Sequence, residues 1–348
     1  MAGTSPAMTG EIRFSVSSDN ARSPMTHAIR FHRNGGPDVL QWEEVTVGKP
    51  GPGEARIRHT AVGLNFVDIY NREGLYPQPL PSGLGAEAAG VVEELGPGVA
   101  DLKVGDRVAY GNSPLGAYSE ARLIPADRLL KLPDAIDDRT AAAMMLKGLT
   151  VQYLIRQTYK VKAGDTILLH AAAGGVGLIL SQWAKHLGAT VIGTVRGEDK
   201  AKLARANGCA HVIDYSREDF VAAVREITKG AMVPVVYDSV GKDTFLKSLD
   251  CLAPCGVAVL FGQASGAVEP LNLGLLAQKG SLYVTRPTLF TYAAKRDNLV
   301  AMAKELFDVV VSGAVKITVN QTYPLKEAAR AQTDLAGRKT TGSTVLLV

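Results

Sequence analysis

The chain has little cysteine: only Cys209, Cys251 and Cys255 occur in 348 residues. That excludes a disulfide scaffold and fits a reducing, cytoplasmic compartment. Cys251 and Cys255 have metal-like spacing, but no second Cys or His pair lies near in sequence to complete four ligands, so the reading is ordinary packing. No apolar run approaches the ~20 residues of a membrane span. Charge is nearly balanced at +4, with no dense Lys/Arg cluster interleaved with aromatics. Neither membrane nor nucleic acid is therefore an expected partner. Residues 1–24 lack the apolar core of a secretory signal, and their two Arg are offset by Glu11 and Asp19, unlike a transit peptide. They read as a disordered extension; an alternative start or an appended remnant are the other readings.

Glycine, with 36 residues, is plentiful, and its placement divides the chain. From Met25 to about Leu132, short strand-like runs are punctuated by Gly and Pro, as at Gly35-Gly36-Pro37 and Pro50-Gly51-Pro52-Gly53. Glu54 to Gly63 alternates like a half-buried strand. This pattern predicts a compact β-rich module with barrel-like closure. From about Asp137 the period changes. A helix is expected over 141–159, followed by strands and helices in alternation: 166–170, 177–187, 190–195, 199–207, 211–213, 220–228, 233–237, 244–252, 256–261 and 282–284. Such a βαβα series predicts a doubly wound parallel sheet. A long helix over 296–311 and a last strand over 343–348 follow, and the apolar last strand is expected to rejoin the β-rich module. The expected organisation is α/β, with a Rossmann domain over 147–285 inserted into a β-rich domain made of 25–146 and 286–348.

The most informative stretch is Leu168-Leu169-His170-Ala171-Ala172-Ala173-Gly174-Gly175-Val176-Gly177. An apolar strand ends in small residues and a helix follows at once. Small residues let a diphosphate approach the backbone, and the free N–H groups and dipole of the helix start attract it. Gly174, Gly175, Val176 and Gly177 are therefore candidate cofactor-binding residues. The next strand ends at Thr194-Val195 and runs into Arg196, with Lys200 four residues later. A carboxylate at this strand end would bind the free ribose hydroxyls of NADH; Arg and Lys instead suit the 2′-phosphate of NADPH. Later strand ends add Tyr215, Ser239, Phe261 and Gly262 as cofactor candidates.

These segments, together with Gly63-Leu64-Asn65-Phe66-Val67-Asp68, Gly74-Leu75-Tyr76-Pro77, Leu84 to Val92, Lys147-Gly148-Leu149-Thr150, Tyr237 to Gly241 and Gly280 to Pro287, resemble the zinc-independent branch of the medium-chain dehydrogenase/reductase superfamily. More narrowly, they resemble the NADPH:quinone oxidoreductases, the group that includes zeta-crystallin, over nearly everything from Met25 on. The resemblance implies a GroES-like barrel carrying the Rossmann insert. It places Asn65 beside the nicotinamide, Tyr70 and Tyr76 beside the acceptor, and Lys147, Thr150, Thr194 and Arg338 around the cofactor. Zinc-dependent relatives carry a His before the Glu of the Glu87 segment and an earlier catalytic Cys. Here Ala86 stands in the first place and no Cys precedes Cys209, so no metal is expected.

A quinone is a strong electron acceptor whose reduced anion is delocalised, so the protein needs mainly to hold the nicotinamide against it. The expected reaction is reduction of a small quinone by NADPH, by hydride or one electron at a time. Two other readings remain open: a reductase of enones or alkenals, and an NADPH-dependent RNA-binding or structural protein. The apolar segment 280–284 could form an edge strand, and relatives pair the corresponding edge across a two-fold axis, which predicts a homodimer.

Overall fold

A computed structural model describes residues 25–112 and 114–348; the extension expected at 1–24 lies outside the described residues. The N-terminal part supplies strands β1 (Met25–Phe31), β2 (Gln41–Thr46), β3 (Glu54–Leu64), β4 (Ser82–Gly83), β5 (Glu87–Leu95), β6 (Arg107–Gly111), β7 (Ala121–Pro125) and β8 (Leu130–Lys131). A parallel series follows: β9 (Thr166–Leu169), β10 (Thr190–Val195), β11 (His211–Asp214), β12 (Val233–Asp238), β13 (Leu252–Leu260) and β14 (Tyr283–Thr285). The last two strands are β15 (Val319–Pro324) and β16 (Ser343–Leu347). The helices are α1 (Phe66–Glu73), α2 (Asp138–Tyr153), α3 (Gly175–His186), α4 (Glu198–Ala206), α5 (Phe220–Ile227), α6 (Phe245–Ser248), α7 (Gly274–Gln278), α8 (Leu289–Tyr292), α9 (Arg296–Val311) and α10 (Ala328–Ala336).

The antiparallel part forms a small sheet, β2-β1-β4, and a larger one, β15-β16-β3-β5-β6-β8, with β7 also paired to β3. β3 explains its own sequence. Its burial alternates from Glu54 to Thr60 and is then continuous from Ala61 to Leu64, where β16 pairs along it and α2 packs against it. As expected, β16 rejoins the β-rich part, with Thr344 opposite Leu64 and Leu347 opposite Ala61.

The parallel sheet runs β11-β10-β9-β12-β13-β14. Its central strands are apolar on both faces: Ile167, Leu168, Leu169, Val191 and Ile192 are fully buried, as a sheet covered by helices on both sides requires. Strand order reverses between β9 and β12, which opens a crevice at their C-terminal ends. Helix α2 joins the two parts. Asp137 caps its start by accepting the Thr140 N–H, and Ala141 to Met145 are wholly buried between the antiparallel sheet and α3.

Three elements depart from expectation. The helix expected over 141–159 is α-helical only to Tyr153 and continues as a π-turn over Leu154–Thr158. The helix expected over 244–252 shrinks to α6 and one 3-10 turn, Leu249–Cys251. Strand β13 begins at Leu252, earlier than expected, because an irregularity around Pro254 and Cys255, the latter at φ 61°, lets the strand pass a residue that has no N–H to share.

Candidate active site

A cavity of about 1060 Å³ lies along the C-terminal ends of the parallel strands and against the antiparallel part. Its size suits a dinucleotide with room for a small acceptor. Gly174, Gly175, Val176 and Gly177 line its middle. Gly174 caps α3 without a side chain, and Leu178 is the residue whose N–H reaches Gly174. The N–H groups ahead of it are the orphan donors of a helix start. Gly177 has to be glycine: a Cβ there would lie 2.5 Å from the Ala171 carbonyl oxygen. The segment before β16 crosses this turn, where the Gly342 N–H donates to the Ala173 carbonyl at 2.9 Å. It brings Arg338, Thr340 and Thr341 to the opposite wall.

One end of the cavity is cationic. Arg196, Lys200 and Arg338 all line it, and the Lys200 ammonium donates to the Arg338 carbonyl at 3.0 Å. Burial, then the charges of Arg338 and Arg196, push the Lys200 pKa down. The acids nearby in sequence do not neutralise the group: Glu198 pairs with Arg205 at 3.3 Å and Asp214 faces Arg217. Such crowding of like charges marks a place for an anion.

The other end is built by α1. Asn65 stands at its start, and the Asp68 carboxylate accepts the Asn65 backbone N–H at 2.9 Å. The Asn65 side chain donates to Glu87 Oε2 at 2.7 Å. Lys147 Nζ donates to the same oxygen at 2.6 Å, and the Leu146 N–H donates to Glu87 Oε1 at 2.8 Å. The wholly buried Glu87 thus clamps two cavity-lining side chains from different elements. Gly63 makes room for it, since a Cβ there would overlap the Glu87 carboxylate. Asp68 also accepts the Tyr118 hydroxyl at 2.8 Å. Burial raises its pKa to about 7, against the pull of these hydrogen bonds.

Tyr70 lines the cavity, and its hydroxyl accepts the Gln263 N–H at 3.1 Å. Its proton stays free to be donated, and burial pushes its pKa up to about 12. Tyr76 stands behind it, edge-on at 5.5 Å, and its hydroxyl accepts from Arg286 at 2.9 Å. It is not part of the cavity lining, although the sequence reading put it beside the acceptor. Thr194 is also displaced from the role expected of it: it is fully buried and its hydroxyl meets His170 Nδ1 at 2.8 Å. His170 Nε2 in turn meets Ser248 Oγ at 2.9 Å. Asp238 completes this network by accepting the Thr244 and Ser248 hydroxyls. Burial lowers the His170 pKa, so the ring is a neutral member of the network. Lys147, Thr150, Tyr215, Ser239, Phe261 and Gly262 all line the cavity.

Sequence reasoning missed Glu87, His170 and Gly342 as site residues. The short Glu87 segment was visible, but its partners come from remote positions. Among the described residues, no group of His, Cys, Asp and Glu is arranged to hold a metal ion.

Comparison with known proteins fits this geometry. The family described as alcohol dehydrogenase GroES-like domain matches residues 51–134, and the one described as zinc-binding dehydrogenase matches 175–305. The chain is 58% identical to a quinone oxidoreductase of Pseudomonas aeruginosa, over 93% of this chain and 100% of that one. A 2-haloacrylate reductase of a Burkholderia species is 53% identical over 93% of this chain and 99% of that one. The structure of Escherichia coli quinone oxidoreductase complexed with NADPH superposes with a TM-score of 0.91 at 53% identity, covering 92% of this chain and 100% of that one. With quinone oxidoreductases matching at 53–58% identity over more than nine-tenths of the chain, it belongs to the zinc-independent quinone oxidoreductase family of the medium-chain dehydrogenases/reductases.

Proposed function

We propose that the chain reduces small quinones with NADPH. The carrying observation is one cavity that runs from the Arg196–Lys200–Arg338 cluster, past the uncapped start of α3, to Asn65, Lys147 and Tyr70. Its three parts match a 2′-phosphate, a diphosphate and a nicotinamide facing its acceptor. The fit rests on free N–H groups at a cradle that a Cβ on Gly177 would disrupt, and on the cationic cluster of Arg196, Lys200 and Arg338 at one end of the cavity. NADPH supplies a hydride from its nicotinamide when bound. Asn65, Lys147 and Thr150 would hold the nicotinamide end; Tyr215, Ser239, Phe261 and Gly262 would flank the nucleotide. The Tyr70 hydroxyl, with its proton unspent, orients an acceptor oxygen, and the apolar ring of Phe66 beside it, 5.4 Å away, keeps water from that face.

Steady-state assays of NADPH with a panel of small quinones test this reading. Turnover is expected, and its absence with every quinone overturns it. A second reading, reduction of activated C=C bonds, is favoured by the likeness to the haloacrylate reductase. A kcat/KM at least about tenfold higher for enones or acrylates than for quinones would make it the better one. No helix among the described residues is long and apolar enough to cross a membrane, and the cysteine usage supports a cytoplasmic setting. Two copies are proposed to pair through the edge strand β14, where Tyr283 is 62% exposed and Val284 37%.

A further inference from the structure

Lys147 is doing more than a cofactor ligand needs. Its stem lies against the turn before α3, since a Cβ on Gly175 would come within 2.8 Å of Lys147 Cδ. Its ammonium does not turn to that diphosphate cradle. It leans the other way, to Glu87 Oε2 at 2.6 Å, onto the oxygen that also takes the Asn65 amide. The side chain is 6% exposed and Glu87 is wholly enclosed. Both lone-pair faces of the carboxylate are engaged, so Glu87 is held in place from three sides. An ammonium has three N–H donors, and among the described residues Lys147 uses one. Two remain for whatever enters the cavity it lines.

A carbonyl acceptor that gains a hydride gathers negative charge on its oxygen, and a desolvated cation already in place is the most effective group to meet that charge. The other candidate at this end, Tyr70, is a weaker acid than a free phenol because it is buried. We propose that Lys147 is a catalytic residue: its ammonium hydrogen-bonds the acceptor oxygen and passes one proton to it as the acceptor takes the hydride. The acceptor gains two electrons and one hydrogen as hydride. The new O–H bond takes its proton from Nζ as an N–H bond breaks, and the neutral amine recovers a proton from water. Glu87 holds Lys147 and Asn65 through one oxygen and is a positioning residue. The inference rests on the reading of the cavity as a site of carbonyl reduction by NADPH.

The test uses a probe that does not turn over. p-Nitrophenol is titrated into the enzyme saturated with NADP+, and its phenolate, which has its own visible absorbance, stands in for the charged oxygen. In the wild type the bound phenol should ionise more readily than the free one, by about 10- to 100-fold in its ionisation constant. Lys147→Met should abolish this and Lys147→Arg should keep most of it, with NADP+ affinity redetermined for each variant so that every titration is run at saturation. Lys147→Met leaves Glu87 buried without its partner, so the double variant Lys147→Met/Glu87→Gln, which keeps the net charge, is measured beside it as a fold control. The proposal is overturned if wild type does not favour the bound phenolate, if Lys147→Met favours it equally, or if the loss matches a proportional loss of NADP+ binding. A wild type that favours phenolate yet reduces no quinone overturns the choice of acceptor and leaves the role of Lys147 standing.

Discussion

Removing the positive charges at the cationic end should separate NADPH from NADH. A charge-assisted hydrogen bond to phosphate contributes roughly 1.5–3 kcal/mol. Arg196 is exposed and Lys200 half-buried, so solvent screens the first more than the second. Arg196→Ala should weaken NADPH by about tenfold and Lys200→Ala by up to about a hundredfold. Lys200 has the larger effect for a second reason, because its bond to the Arg338 carbonyl also places the third cation. NADH has no 2′-phosphate, so its affinity should hardly move. Burial first, and then the neighbouring guanidinium charges, push the Lys200 pKa down; a phosphate dianion offsets the second effect and favours the charged ammonium. NADPH binding should therefore take up protons, and the preference for NADPH should fall as pH rises into the range where free Lys200 loses its proton. Calorimetric titration of both cofactors into wild type and each variant, at two salt concentrations and two pH values, reads all of this. Equal losses of NADPH and NADH would refute the assignment and move these residues to the shared diphosphate or to folding. A wild-type preference for NADH would refute it outright.

His59 predicts acid sensitivity of the antiparallel part. Its Nδ1 donates to the Ser119 carbonyl at 2.6 Å, so Nε2 is the acceptor for the Tyr110 hydroxyl at 3.0 Å. Burial lowers its pKa from 6.5 to about 3. The unfolded chain therefore binds this proton first, and stability is lost as pH falls from about 6.5 to 3, by roughly 5 kcal/mol over the window. His59→Gln should flatten the dependence of melting temperature on pH in that range; an unchanged slope counts against it. Replacing Tyr283 and Val284 by Lys should convert a dimer to monomer in sedimentation at micromolar concentration, and a wild type that is already monomeric removes the proposal of edge pairing.

The sequence was most legible where one element settles its own structure. The 3.6-residue period over Arg296–Val311 predicted α9 to the residue, and the small residues before Leu178 marked the uncapped helix start. It was least legible where a residue is defined by remote partners. Nothing near Glu87 announces that Asn65 and Lys147 will share one of its oxygens. Thr194 sits at the right strand end for a ligand, yet its neighbour across β9 is His170, and that contact turns the hydroxyl inward. Tyr76 lies close to Tyr70 in sequence, but the turn after α1 puts it behind that ring and not beside it. A strand was expected only from 256, while the irregular pairing around Pro254 lets β13 begin at Leu252.

The pairing of β16 with β3 also sets an order of events in the cell. Thr344 meets Leu64 only after the whole parallel sheet has been synthesised between them. The emerging antiparallel module must wait with the Ala61–Leu64 end of β3 unpaired on that side, while β7 covers Glu54–Arg58, a non-local closure of the kind that folds slowly and invites aggregation. The intervening sheet has its own run of neighbouring βαβ contacts and can fold while the first module is still open. Because Gly342 bonds to the Ala173 turn just before β16 begins, the stroke that completes the larger antiparallel sheet also lays the last wall against the turn before α3, so a chain released early should lack both together.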